Sequence, residues 1–288
     1  MGYARSMTKK FRLLSLTLSV LLLTGCPAPD SERQTVTIKG SDTLLQVGQR
    51  WAEVYMNAHP DVTIQVTGGG TGTGIAALIG GTTDICQASR AIKDTEKEEL
   101  KGKRSLETVE TPVALDALAI YVNNQNSISS LSLDQVAKVF LGEITDWKDL
   151  GGKPGKIVLY GRDNSSGTYV YFKEHVLGNK DFPPAYQALP GTGGVVGAVA
   201  NDKNAIAYGG IGYAKDIKTL SIAKDAKSPP VDPSMANVLS GDYPISRQLF
   251  WYTAGQPQNA TKALVDFVLS PDGQKIVSEQ GFYPLKGE

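Results

Sequence analysis

Apolar and polar residues alternate through Thr35-Val36-Thr37-Ile38, a period of two that predicts a strand. Past Gly40-Ser41-Asp42-Thr43 the period changes, and Leu44, Val47, Trp51, Val54 and Tyr55 recur at helical spacing. Ser41 or Asp42 is the natural N-cap of that helix. Val62, Ile64 and Val66 give a second alternating strand, followed by the Gly-rich run 68–74 and an apolar helix over 75–79. A short strand over 82–88 ends in Ser89-Arg90, and Thr95-Glu96-Lys97-Glu98 reads as a capping box on a charged surface helix.

The second half repeats the alternation. Strands are predicted at 118–122, 157–160, 205–208 and 249–253, an amphipathic helix at 132–140, and a long helix over 261–280. The strand at 157–160 runs into Gly161-Arg162-Asp163-Asn164-Ser165-Ser166-Gly167-Thr168, and a helix over 169–176 follows. Strands interleaved with helices predict an α/β fold with a mainly parallel sheet flanked by helices.

Composition narrows the function. In 288 residues, 41% are hydrophobic and 20% charged, which is globular and neither disordered nor multi-spanning. Lysine plus arginine equals aspartate plus glutamate at 29 each, but the first 25 residues hold four bases and no acid. The remainder carries 25 bases against 29 acids, and this mildly acidic body argues against a nucleic-acid partner. Two cysteines and two histidines argue against a protein-ligated zinc or an iron–sulfur cluster, and no cofactor is expected. Cys86 is expected to be a small buried hydrophobe. Trp147 and Trp251 read as packing residues, His59 and His175 as surface or packing residues, and Asp84 and Asp116 as loop or strand-end residues.

Lys9, Lys10 and Arg12 precede an apolar stretch over 13–23, too short for a membrane span and right for a signal peptide. It ends in Leu23-Thr24-Gly25-Cys26, which resembles the lipobox of bacterial lipoproteins. That resemblance implies cleavage after residue 25 and a diacylglyceryl group on Cys26, with residues 26–34 as a tether. Each buried CH₂ contributes ~0.8 kcal/mol, so two or three acyl chains hold such a protein on a membrane face.

Three strand-to-helix turns, at 40–44, 68–74 and 162–168, are rich in Gly, Ser and Thr. Free N–H groups and the positive end of the helix dipole make such turns anion sites. Small residues let the backbone approach and hydroxyls add donors. Three in one chain, one with an arginine, point to a tetrahedral oxyanion. No Lys follows the glycines at the spacing of a nucleotide-hydrolase phosphate loop.

The turns, with Ala88-Ser89-Arg90, the run Gly142-Glu143-Ile144-Thr145-Asp146-Trp147-Lys148-Asp149-Leu150, Tyr243-Pro244-Ile245-Ser246-Arg247 and Leu269-Ser270-Pro271-Asp272-Gly273-Gln274-Lys275, occur in an order that resembles the phosphate-binding components of bacterial ABC phosphate importers. The resemblance covers nearly the whole mature chain. It implies a two-lobed periplasmic-binding-protein type II fold with crossover strands near 117–123 and 247–253. Lobe 1 would be 35–117 plus 250–288 and lobe 2 would be 118–249. The implied protein is a monomeric extracytoplasmic receptor that passes inorganic phosphate to permease subunits. Phosphate would lie among Ser41, Asp42, Thr43, Leu44, Thr71, Gly72, Ser89 and Arg90 of the first lobe. The second lobe would add Arg162, Ser165, Ser166, Gly167 and Thr168.

The chain departs from well-known members at three places. Arg90 and Asn164 stand where those members have carboxylates, and Asp42 stands where they have a threonine. Asp42, oriented by Arg90, is therefore the expected acceptor for the phosphate proton, with helix capping as its alternative role. A receptor for another tetrahedral oxyanion, a phosphoester hydrolase on the same scaffold, and a surface adhesin or sensor are the competing functions. The hydrolase needs a nucleophile with a base in reach, or metals.

Overall fold

The first alternating run is strand β1 (Gln34–Gly40), with Val36 and Ile38 buried and Thr35 exposed. It pairs in parallel with β2 (Val62–Thr67) on one side and β3 (Ile85–Ala88) on the other. Helices α1 (Leu45–Ala58) and α2 (Thr71–Ile79) connect these strands, and α3 (Asp94–Arg104) leads into a 15-residue strand, β4 (Thr108–Val122). The computed structural model describes residues 1–3 and 34–285. Cys26 and nearly all of the expected leader and tether lie outside the described residues.

Next come β5 (Ser130–Ser132), α4 (Leu133–Phe140), β6 (Val158–Gly161), α5 (Gly167–His175) and β7 (Gln187–Ala188). They are followed by α6 (Gly191–Asn201), β8 (Ala205–Gly210), β9 (Lys218–Thr219), β10 (Ser221–Ala223) and α7 (Met235–Leu239). The chain closes with β11 (Ser246–Ala254), α8 (Asn259–Leu269) and α9 (Pro271–Glu279). The main sheet runs β2-β1-β3-β11-β4-β8-β6-β7, with β9 also on β4. Its outer pairs are parallel, as expected, but the centre is antiparallel: β11 pairs with both β3 and β4, and β4 with β8.

Strand β4 changes partner along its length. Its first part, to Ala117, faces β11, and from Leu118 onward it faces β8. The packing changes with it. Ile85, Leu249 and Trp251 point into one core and Cys86, Phe250 and Tyr252 into another on the opposite face of the same strands. Beyond the change of partner, Leu118, Ile120 and Tyr208 fill a third core and Ala119, Tyr121 and Ala207 a fourth. Each half of the sheet is thus covered on both faces, the two-lobed α/β arrangement. Trp147 and Trp251 are both buried in these cores, Trp251 edge-on to Trp51 at 5.4 Å. Cys86 is fully buried, and burial pushes its thiol pKa up.

Four local expectations need correction. The helix predicted over 261–280 is two helices, because Pro271 has no N–H for the preceding turn and sits at the first position of α9. Ser270 caps the new start by accepting from Gly273 N–H at 3.2 Å. Helix α3 opens at Asp94, one residue before Thr95, and the Glu96 carboxylate caps the Lys93 N–H at 2.8 Å. Helix α1 opens at Leu45, and neither Ser41 nor Asp42 caps it. Asp116, read as a loop or strand-end residue, lies inside β4 and is fully buried.

Candidate functional site

Where β1 ends, residues 41–44 fold into a tight turn instead of a cap. Leu44 N–H donates to the Ser41 carbonyl at 3.2 Å, and Thr43 N–H donates to Ser41 Oγ, also at 3.2 Å. The Gln87 side-chain amide, buried in β3, holds the turn by donating to the Ser41 carbonyl at 3.0 Å. Gln87 was not anticipated from sequence. Leu44 was expected near the anion, but its N–H is used inside the turn and its side chain is buried in the core.

The turn, the start of α2, the end of β3 and the start of α5 converge. Ser41, Thr43, Thr71, Ser89 and Thr168 are all buried, and their hydroxyls lie within hydrogen-bond reach of one another. Ser41 Oγ donates to Ser89 Oγ at 2.8 Å, Thr43 and Thr168 are 2.9 Å apart, and Ser89 Oγ lies 3.4 Å from both Thr71 and Thr168. Glycine makes this approach possible. A Cβ on Gly167 would fall 2.3 Å from Thr71 Oγ1 and 2.7 Å from Ser89 Oγ. The Gly72 N–H donates to the Ser165 carbonyl at 2.9 Å, so the two loops also touch through backbone. Ser165 itself sits on the rim, its hydroxyl bonded to Asp163 at 2.5 Å, and Ser166 caps α5 by accepting from Tyr169 N–H.

The polarity of these hydroxyls is set by groups that can only donate. Ser41 Oγ accepts from Thr43 N–H, Thr71 Oγ1 from Ser89 N–H at 3.1 Å, and Thr168 Oγ1 from Arg247 Nη2 at 3.0 Å. Each of the three therefore keeps its single proton to donate. Helices α1, α2 and α5 carry no acidic residue in their first turns, whereas α3, α4 and α9 do. The positive ends of the α2 and α5 dipoles thus meet the hydroxyls with no acidic side chain in their own first turns. Such a place attracts a group that accepts hydrogen bonds and carries negative charge.

Two Asp–Arg pairs flank the hydroxyls. Arg162 Nη2 donates to Asp42 Oδ2 at 2.7 Å, and the other oxygen of Asp42 accepts from Gly69 N–H at 3.1 Å. The Asp42 carboxylate thus neither caps α1 nor meets Arg90. Arg90 instead forks onto Glu96, at 2.7 and 2.8 Å, and donates to the Ala91 carbonyl. Burial would raise the Glu96 carboxyl, but the bonds from Arg90 and the Lys93 N–H outweigh it and hold it below its ordinary value. Arg90 lines a cavity of about 360 Å³ with Lys93, Tyr171, His175, Arg247 and Gln248.

The second pair was missed. Arg247, on β11, donates to Asp116 Oδ2 through Nε at 3.0 Å and Nη2 at 2.8 Å. Its Nη1 donates to the Ser89 carbonyl at 2.9 Å. Burial pushes the Asp116 carboxyl up, while Arg247 and the Ile211 N–H work against that rise. A single carboxylate inside the apolar run Val113-Ala114-Leu115-Asp116-Ala117-Leu118 was the available signal, since a buried charge needs a partner. His59 and His175 are exposed and stack on Tyr55 and Tyr171, at 4.2 and 3.9 Å.

Comparison with known proteins gives a consistent picture. The family model described as the PBP superfamily domain matches residues 27–272. The phosphate-binding protein PstS of Pseudomonas aeruginosa is 37% identical over 265 residues, covering 85% of this chain and 81% of that protein. PstS of Bacillus subtilis is 33% identical over 252 residues, covering 87% and 81%. A crystal structure from Clostridium perfringens, described as a phosphate ABC transporter substrate-binding protein with bound phosphate, superposes with a TM-score of 0.79. It is 29% identical and covers 88% of this chain and all of that one. An ABC-type phosphate transport receptor from Vibrio cholerae gives 0.68 at 27% identity, over 86% of this chain and 99% of that one. These relatives are binding proteins. Among the described residues, no helix is long and apolar enough to cross a membrane.

Proposed function

Because the chain belongs to the PBP superfamily, with PstS proteins as its relatives, we propose that it is an extracytoplasmic receptor that binds inorganic phosphate and delivers it to an ABC permease. The observation that carries this reading is the convergence of the 41–44 turn and the acid-free starts of α2 and α5 on five buried hydroxyls, three of which accept from N–H donors. Two Asp–Arg pairs leave the side-chain charge there balanced, so the dipoles and O–H groups supply the attraction for the anion. The ligand-binding residues are Ser41, Asp42, Thr43, Thr71, Ser89, Arg162, Gly167 and Thr168. The change of partner along β4 supports lobes of 35–117 plus 250–288 and 118–249, hinged at β4 and β11.

Phosphate keeps at least one proton near neutral pH and sulfate keeps none, so a buried acceptor separates them. That acceptor is Asp42, held by Arg162 and the Gly69 N–H, with lone pairs left over. Cys26 carries the lipid that keeps the monomeric receptor at the membrane, and the protein turns over no substrate. Calorimetric titration of the mature protein with phosphate, sulfate, arsenate and molybdate tests the reading. One phosphate per chain, with sulfate far weaker and no release of chromophore from a phosphate ester, is expected. Hydrolysis of the ester, or tighter sulfate than phosphate, would overturn it. Cys26→Ser should leave phosphate binding intact and move the protein out of the membrane fraction.

A further inference from the structure

The sequence motif ending in Arg247 is unused by the receptor reading, yet its guanidinium lies against the hydroxyl cluster. We propose that Arg247 is a positioning residue: it fixes the Thr168 hydroxyl as a donor to the bound anion and ties that bond to the hinge strands. The inference rests on the receptor reading above and extends it to a residue that does not itself hold the ligand.

Arginine has five N–H donors and no acceptor. Arg247 uses four bonds: two on Asp116 Oδ2, one on the Ser89 carbonyl and one on Thr168 Oγ1. Thr168 Oγ1 must therefore accept from it, and its one proton turns toward the cluster. Without Arg247 the hydroxyl is free to rotate and can aim a lone pair at the anion.

The position of Arg247 is itself tightly determined. Asp116 fixes two of its nitrogens and is held in turn by the Ile211 N–H at 3.0 Å. The guanidinium lies 5.4 Å from the centre of the Tyr171 ring, and Tyr171 donates to the Ser246 carbonyl at 2.7 Å. Arg247 and Asp116 stand on β11 and β4, the two central antiparallel strands. Ser89 follows β3 and Thr168 opens α5, so the one side chain bridges both sides of the cluster. Any motion that separates them must break one of its bonds.

A double-mutant cycle on phosphate affinity tests this, because a purely structural pair has no reason to couple to Thr168. Removing Arg247 alone would leave Asp116 buried without a partner, so both are replaced together, as Asp116→Leu with Arg247→Met. In the otherwise native protein, the replacement is expected to weaken phosphate binding at least about tenfold, as for a lost charge-oriented hydrogen bond. In the Thr168→Val background the same replacement should change affinity by less than about twofold. If the double replacement does not fold, Arg247→Lys replaces it in the same cycle. It keeps a cation on Asp116 but cannot span Asp116, Ser89 and Thr168. Equal losses in both backgrounds, or no loss in either, would overturn the role of Arg247 alone. A native protein that binds no phosphate would overturn the receptor reading and this role with it.

Discussion

Two Asp–Arg pairs lie beside one hydroxyl cluster, and they are built differently. The Asp42–Arg162 pair joins two turns, while the Asp116–Arg247 pair joins two central strands. Asp116 accepts three bonds and Arg247 donates four. Asp42 accepts two through its carboxylate and Arg162 donates two, one to Asp42 and one to the Leu189 carbonyl. With five N–H groups on a guanidinium, Arg162 keeps three for another partner and Arg247 keeps one. The Asp116–Arg247 pair is thus nearly saturated and the Asp42–Arg162 pair keeps donors unspent, the difference on which the proposed roles of the two arginines rest.

The largest expected difference between the pairs is in stability. Asp116→Ala removes one partner of a pair with a fully buried carboxylate and strands the Arg247 charge, which costs about 3–5 kcal/mol. Asp42→Ala also strands a nearly buried arginine, but Arg162 keeps its bond to the Leu189 carbonyl, and the cost should be smaller, about 2–3 kcal/mol. Urea unfolding of both variants checks this. Equal losses would mean that the two pairs are structurally alike.

Affinity should divide them the other way. Arg162→Ala removes a charge-assisted donor that has three N–H groups left for another partner, and hydrogen bonds to charged groups contribute ~1.5–3 kcal/mol each. Phosphate affinity should fall at least tenfold by calorimetry. A loss within twofold would remove Arg162 from the site.

How far these pairs were legible in the sequence follows from what sets each one. The turns at 40–44, 68–74 and 162–168 could be read because local residue types fix them: Gly where backbones meet, Ser and Thr where hydroxyls donate. The strand and helix periods gave the layers. The break at Pro271 was also local and could have been read from the residue itself. Pairing could not. Asp42 and Arg162 are 120 residues apart, and Asp116 and Arg247 are 131 apart, so only the folded sheet brings them together. Arg90 misled because its place after Ser89 suggested the cluster, while its partner Glu96, six residues on, lay in what read as a solvated helix face. The long central strand β4 hid its partner change in the same way, since continuous apolar sequence does not mark a change of neighbour.

Asp42→Asn sharpens the comparison within the open pair. It keeps an oxygen for the Gly69 N–H but turns an amide donor toward Arg162 and removes the charge. If Asp42 reads the phosphate proton, the preference for phosphate over sulfate should narrow by ~1–3 kcal/mol, measured as the ratio of the two dissociation constants. An unchanged ratio would make Asp42 only a support for Arg162.

The smallest effect is expected at a third pair, Arg90–Glu96, which makes no hydrogen bond to the cluster. Arg90→Ala should leave phosphate affinity unchanged, in contrast to Arg162→Ala. Its cost is in stability, about 1–2 kcal/mol, because a forked bond to a partly exposed carboxylate is lost. The cost should depend on pH. The Glu96 carboxyl is held below its ordinary value in the folded chain by Arg90 and the Lys93 N–H, against its burial. A depressed carboxylate pKa contributes stability above the unfolded-state value, and that contribution disappears as pH falls through the folded-state value. The difference between the native protein and Arg90→Ala should therefore be full near neutral pH and shrink as the pH drops below about 4. Parallel urea titrations at neutral and acidic pH give the answer. A difference that grows in acid would deny Arg90 its hold on Glu96, and a fall in phosphate affinity would return Arg90 to the site.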